Sequence, residues 1–518
     1  MRAGGTLWRA LETARRANCA AAGETLPQPG GQPLPRRALL KGLAAAATVA
    51  AMPRPAHAFT GGRVAVIGGG IAGLTALHRL RAAGVDAHLY EARGRIGGRM
   101  FTWRPADGGT PFEQGGQLVN SDHRDIHMLA AEFGIALLDR KEAPHRSLLV
   151  ANGALVPPDA LAEALRPIAA RIGADADRLD ADYARVAPAL DRLSVADYLD
   201  RHADKLPQPW VRRLLEATAR TEYGAEPQDA SALELIFNLP TVDGRRVEVL
   251  GGSDEQFVLD GGSGALTDAI AARHAAHITT GRRLLRIDSI RGGLRLSFLD
   301  GSTAHADRVI VAVPAPILRQ IHFGVPLPPL WRHFIETVEL GRNEKVQAAT
   351  RGRPARAALG AGGELWDADP EAGYALGWDG SVPGAAAPVW TWYLGGDQVD
   401  CAGPADARAA AFAARSVLAI PGFAEHLTSE VRATRWCRDP LTLGAYSNYR
   451  PGQLTRFAPL FWVESHDPAE RQQAIVGPIT FAGEHLSDAW PGYMNGGAQT
   501  GRLAAETLIG SAAIRAAA

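Results

Sequence analysis

Cysteine is almost absent from this chain, with three in 518 residues. Cys19 lies near the N-terminus, so only Cys401 and Cys437 stand in the body. Two cysteines exclude a disulfide framework, and without a CxxC or His/Cys cluster there is no cysteine-built metal centre. A single bridge between the two stays open in an oxidising compartment. Net charge is missing as well: 55 Lys and Arg balance 55 Asp and Glu. No one-signed field therefore draws the chain to nucleic acid or to an anionic membrane. A long hydrophobic run is the third absence. The apolar stretch from Gly42 to Met52 is about half of the roughly 20 residues that a membrane span requires. The expected partners include no nucleic acid and no stable membrane anchor.

That short run sits within "LPRRALLKGLAAAATVAAMPRPAHAF", Leu34 to Phe59. Arg36 and Arg37 precede it, and Ala56-His57-Ala58 closes it, so 1–58 reads as a signal region cut after Ala58. The arginine pair with Lys41 resembles a twin-arginine leader, although Pro35 stands where a polar residue is usual. A Sec signal and an Ala-rich tail are the alternatives. Twin-arginine export carries folded, cofactor-loaded cargo, so the expected location is periplasmic or secreted, with the export machinery as a partner. The remainder is long enough for two or three domains with buried cores.

"RVAVIGGGIAGLTALHRLRAAGVDAHLYEARGRIGGRM" opens at Arg63. A β-branched run to Ile67 reads as a buried strand and leads into Gly68, Gly70, Ile71, Ala72 and Gly73 in GxGxxG spacing. Gly68 permits the tight turn, Gly70 lets backbone approach a pyrophosphate, and Gly73 lets the helix pack on the sheet. The helix N-terminus offers N–H groups and a positive dipole end to phosphates. Val85 to Tyr90 forms a second strand, and Glu91, 18 residues past Gly73, is placed to accept ribose hydroxyls. This is dinucleotide binding, with FAD and NAD as the alternatives.

"EARGRIGGRM", with Glu91, Ala92, Arg93, Gly98 and Arg99, resembles the FAD segment of the flavin amine oxidase superfamily. Three further stretches resemble it in family order: "FVLDGGSGALTDAI", then "RRLLRIDSI" with "DRVIVAVPAPIL", then "VGPITFAGEHLSDAWPGYMNGGAQTGRLAAETL". The resemblance implies an α/β fold. A Rossmann-type FAD-binding domain would be built from three discontinuous segments, 60–120, 251–325 and 476–512. Between them would lie a helical insert at 121–250 and a mixed-sheet substrate domain at 326–475. "LAEALRPIAARIGADADRLDADYARV" has helical spacing, and "KVQAATRG" and "PVWTWYLGG" alternate as strands do.

By the same resemblance, Arg99 lies at the pyrophosphate, Gly115, Gly116 and Gln117 pass beside the flavin, and Leu284 sits near the adenine. Gly483 and Glu484 contact the ribityl–phosphate part, and the helix starting near Gly492, Tyr493 and Met494 aims its N-terminus at the flavin. Tyr446 in "WCRDPLTLGAYSNY" and Tyr493 in "PGYMNGG" correspond to the two rings in front of the flavin, with Trp490 at the mouth. Such rings give apolar walls and a π face for an incoming ammonium. Desolvation between them favours the neutral amine. Lys345 in "LGRNEKVQAA" corresponds to the lysine that holds a water against flavin N5. Ala445 stands where animal monoamine oxidases carry the flavin-linking cysteine, so FAD should be noncovalent.

Leu118 occupies the position where amino-acid oxidases of this superfamily place a carboxylate-binding arginine, and Arg124 is expected to leave the site. The implied reaction is amine oxidation to an imine, with hydride transfer to N5 and O2 reduced to hydrogen peroxide. The alternatives are an L-amino-acid oxidase and an amine dehydrogenase with a periplasmic acceptor. A carotenoid- or porphyrinogen-type desaturase and a noncatalytic flavoprotein explain the two tyrosines less well. Glu226, Asp229 and Glu234 are acids available to a polyamine tunnel, but the sequence does not place them. A homodimer is an open option.

Overall fold

The computed structural model describes residues 62–516 apart from 142–143, 239–240, 244–245, 249–252 and 466. The expected signal region, 1–58, lies outside them. Among the described residues no helix is long and apolar enough to cross a membrane.

A six-stranded sheet forms the base. Its order is Ile278–Thr279, Ala87–Tyr90, Val64–Ile67, Arg308–Val311, Ile479–Phe481, Ile475–Val476. All neighbours are parallel except the last pair. Val64–Ile67 is buried along its whole length, as a parallel strand covered on both faces must be. Helix Ile71–Ala82 follows it, and helix Met494–Ala516 packs across its first turn. Glycine decides how close they come. A Cβ on Gly501 would stand 2.1 Å from the Ala72 carbonyl oxygen, and one on Gly497 would stand 2.8 Å from Ile71 Cγ2. The two helices therefore meet backbone to backbone at Gly501 and backbone to side chain at Gly497, and both N-termini open on the same cleft.

A seven-stranded mixed sheet covers that cleft, in the order Leu427–Ala433, Asn343–Thr350, Val389–Gly395, Leu376–Asp379, Gly362–Asp367, His145–Ala151, Ala154–Leu155. Its register places Lys345 beside Tyr393, Tyr393 beside Leu376, Leu376 beside Trp366 and Trp366 beside Leu149. Because side chains alternate with period two, this row faces the base. Val346, Trp392, Leu394, Leu365 and Val150 face away and pack with Phe412 and Phe423. Among its described residues the 121–250 stretch contains six α-helices, Arg124–Glu132, Pro158–Ala181, Tyr183–Asp191, Val195–Arg201, Pro209–Tyr223 and Ala232–Asn238. It is not purely helical, however. Its hairpin, turning at Asn152 (φ 53°) and Gly153 (φ 72°), adds two strands to the sheet. "HRSLLVANGAL" lacks a 3.6 period and pairs Val150 with Leu155.

Candidate active site

One cleft lies between base and sheet and opens to solvent. Gly68, Gly70, Ile71, Ala72, Glu91, Ala92, Arg93, Gly98, Arg99, Gly115, Gly116, Gln117 and Leu284 line it, as do Gly483, Glu484, Gly492, Tyr493 and Met494. Lys345, Tyr446, Leu118 and Ala445 line it too. Gly73 does not; its role is in packing, since a Cβ there would lie 1.9 Å from the Gly68 oxygen. Trp490 is also outside the lining. Its backbone N–H donates to Ser487 Oγ at 2.9 Å, and its ring packs on His123. Arg124, itself exposed, begins a helix and does not line the cleft, and Cys401 and Cys437 are free thiols.

The base fits a dinucleotide. A Cβ at Gly70 would meet only Gly98 Cα at 4.0 Å and so would intrude on the open cleft, where backbone N–H groups of the helix N-terminus face an anion. Glu91 is fixed by the N–H groups of Gly69 (2.6 Å) and Arg93 (2.7 Å), one on each carboxylate oxygen. Each oxygen keeps a lone pair for a ribose hydroxyl. Further along, Arg99 donates to Glu484 Oε1 and to the Ala445 carbonyl, both at 2.7 Å. Glu484 Oε2 accepts from Ser447 Oγ at 2.8 Å and from the Gly492 N–H at 2.7 Å. Burial opposes the Glu484 charge, but Arg99, the neighbouring His485 and these donors outweigh it and hold its pKa down to about 2. One carboxylate thus ties Arg99, the Tyr446 segment and the C-terminal helix together.

The sheet supplies the reactive face. Lys345 Nζ donates to the carbonyls of Glu113 and Gly115, both at 2.8 Å, and lies 5.7 Å from the Trp378 ring centre. Three donors meet two backbone acceptors, which leaves one N–H for a group in the cleft. Burial lowers its pKa to about 7, with the Glu113 carboxyl partly countering. Burial in turn raises Glu113 against the pull of Lys345 and its Ser263 and Thr102 donors. Tyr446 donates its hydroxyl hydrogen to the Thr221 carbonyl and accepts one from Tyr393 at 3.1 Å. Tyr393 lines the cleft and was not singled out by sequence, because only sheet register sets it beside Lys345. Trp436, also lining, donates to the Gln114 carbonyl at 2.8 Å. Glu226 is taken up by Arg220 and Glu234 lies buried in helix Ala232–Asn238. Other buried acids are Glu222, which directly follows Thr221, and Glu364, bound by Arg140 and held to about 2 against burial by Lys141 and Arg140. No three His, Cys, Asp or Glu side chains converge as metal ligands among the described residues.

A glycine-lined dinucleotide base beneath a buried lysine and paired tyrosines defines a flavoprotein oxidoreductase. The family profile of flavin containing amine oxidoreductases matches residues 71–509, and the chain belongs to that family. It is similar to the putative flavin-containing monoamine oxidase AofH of Mycobacterium tuberculosis, with 26% identity over 472 residues, 85% of this chain and 95% of the relative. It is 24% identical over 477 residues to the L-amino acid dehydrogenase of Synechocystis, covering 86% and 94%. Putrescine oxidase, solved with putrescine bound, shares the fold at a TM-score of 0.72 and 20% identity, covering 87% of this chain and 99% of that one. Cyclohexylamine oxidase from Brevibacterium oxydans superposes at 0.71 with 25% identity and the same coverage. The chain is thus an FAD-dependent amine oxidoreductase acting on CH–NH2 groups.

Proposed function

We propose that the enzyme oxidises a primary or secondary amine bound between Tyr446 and Tyr493, using noncovalent FAD, and is exported through its twin-arginine-like leader. FAD bound in the cleft would supply the acceptor for the hydride from the amine α-carbon, and its reoxidation by O2 would give hydrogen peroxide. The imine hydrolyses to a carbonyl compound and ammonia or amine.

The observation that carries the amine reading is that Tyr446, Tyr493, Lys345 and Leu118 line one cleft. Two rings receive an ammonium and exclude water, which favours the free base. The arginines lining the cleft are Arg93, Arg99, Arg282 and Arg283. Of these, Arg93 and Arg99 are engaged with Asp439 and Glu484, and at Leu118 a leucine replaces a carboxylate-binding fork. Lys345 is placed to hold a water through its remaining N–H and so to assist proton movement at the reacting face. No cysteine is among the residues lining the cleft, and Ala445 cannot form a thioether.

Anaerobic mixing of the leaderless protein with single amines and L-amino acids, followed by flavin absorbance, tests this. Bleaching by amines alone supports it, whereas bleaching only by amino acids overturns the reading of Leu118. Admitting air then separates the alternatives: fast recovery marks an oxidase, slow recovery a dehydrogenase. Fusing residues 1–58 to a reporter that folds before export tests the leader.

A further inference from the structure

His123 lies outside the cleft lining, yet it abuts the wall of the substrate site. It caps helix Arg124–Glu132, and its side chain is fully buried. The imidazole centre is 5.0 Å from the Trp490 ring at 84° and 4.9 Å from the Tyr493 ring at 69°, so it stands edge-to-face to both. Tyr493 and Trp490 are themselves 6.2 Å apart at 84°. The three rings form one interlocked group behind a wall of the slot, within the 4.5–7 Å range in which aromatic pairs attract.

The tautomer follows from the backbone. Nδ1 accepts the Asn120 N–H at 3.0 Å, so in the neutral ring the hydrogen is on Nε2. That N–H is buried without a hydrogen-bond partner among the described residues. Such an orphan requires an explanation, and the rings against it offer π density in place of an oxygen. The turn that carries His123 is itself fixed. Asn120 Oδ1 accepts the Glu255 N–H at 3.0 Å, and the Ile126 N–H donates to Asn495 Oδ1 at 3.1 Å. Asn495 lies two residues after Tyr493, so the turn and the wall are clamped as one piece.

We propose that His123 is a positioning residue for Tyr493: a neutral, Nε2-protonated ring that holds the tyrosine at its working angle to the flavin. The assignment rests on Tyr493 being a wall of the amine site. Burial, with the nearby His127 adding a like charge, keeps the imidazole neutral through the physiological range, consistent with a ring that packs instead of shuttling protons.

A double-mutant cycle on the holoenzyme tests it, using His123→Ala, His123→Phe, Tyr493→Ala and the two pairs, each checked for FAD content by absorbance. The expected result is that His123→Ala lowers the anaerobic flavin-reduction rate by about 10-fold while FAD content stays at one per chain. The same change in the Tyr493→Ala background should lower it no further, because coupled neighbours are non-additive. His123→Phe, which restores a ring, should recover most of the rate, and His123→Ala should weaken the near-UV circular dichroism of the apoprotein. Equal losses in both backgrounds would overturn the proposal, as would a wild-type rate in His123→Ala. If no amine reduces the wild-type flavin, the amine reading fails. The dichroism comparison, with and without Tyr493, then decides the ring coupling alone.

Discussion

The base of the cleft recognises with backbone, and the sheet above it recognises with side chains. In the base, Gly70 carries no side chain, so N–H groups and a helix end face the open cleft, Gly73 lets the helix close on the turn, and a single acid, Glu91, is pinned by two amides. In the sheet, Lys345, Tyr393 and Tyr446 come from strands and loops far apart in the chain, and they meet through register and hydroxyl hydrogen bonds. A backbone cradle tolerates many side chains around it, whereas a side-chain site fails at single positions.

The sharpest way to break the base is at its knot. Glu484→Ala leaves Arg99 with the Ala445 carbonyl but without its carboxylate partner, and a severed buried pair costs roughly 3 kcal/mol. Urea unfolding of the apoprotein should show that loss, and gel filtration should strip FAD from the variant. The depressed pKa gives a sign as well. Glu484 stabilises fully above its unfolded value, near 4.5, and loses that contribution as pH falls toward about 2. An acid titration should therefore separate wild type from variant progressively less below pH 4.5.

In the sheet, Lys345→Met should keep FAD but slow turnover by about 100-fold, the size typical of a lost proton-handling group; stopped-flow reduction and reoxidation would locate the slowed step. Its pH signature has the same sign as that of Glu484, a stability that rises with pH, but lies in an alkaline window. The amine has a native pKa of about 7, below the unfolded value of 10.5, so the unfolded chain binds more protons between them. Stability of the apoprotein relative to Lys345→Met should then rise from pH 7 to 10. A flat difference would show that the lysine is solvated and the roof is open.

A smaller effect is expected at Tyr446→Phe. It leaves the Tyr393 hydroxyl and the Thr221 carbonyl without their partner, at about 1–2 kcal/mol, read from thermal unfolding and from a raised KM. Smallest of all is Cys437→Ser, expected within about 0.5 kcal/mol. Burial, with Glu344 beside it, pushes this thiol up to about 12, so it stays protonated and unreactive. Acid precipitation should release all flavin from both wild type and variant.

The residues of the base were legible because the turn, helix start and ribose acid that make a backbone cradle fall within one short stretch. Tyr446, Tyr493 and Lys345 were legible only through resemblance, as nothing local marks a tyrosine as a wall. Trp490 was read one layer too far forward: it stands three residues before Tyr493, yet the turn at Gly492 (φ 83°) sends its ring behind the wall onto His123. Tyr393 and His123 were missed for the same reason in two forms. One depends on which strand lies beside Asn343–Thr350, and the other on where a helix beginning at Arg124 is docked.

By itself the sequence determined the strand–glycine–helix unit, the absence of a metal-binding cysteine set and the alternating strands of the covering sheet, because these depend on neighbours along the chain. The tertiary structure decided which faces meet across the cleft, that Lys345 loses its water to two carbonyls, and which rings brace the walls. Those depend on burial and register between segments hundreds of residues apart, and no local pattern encodes them.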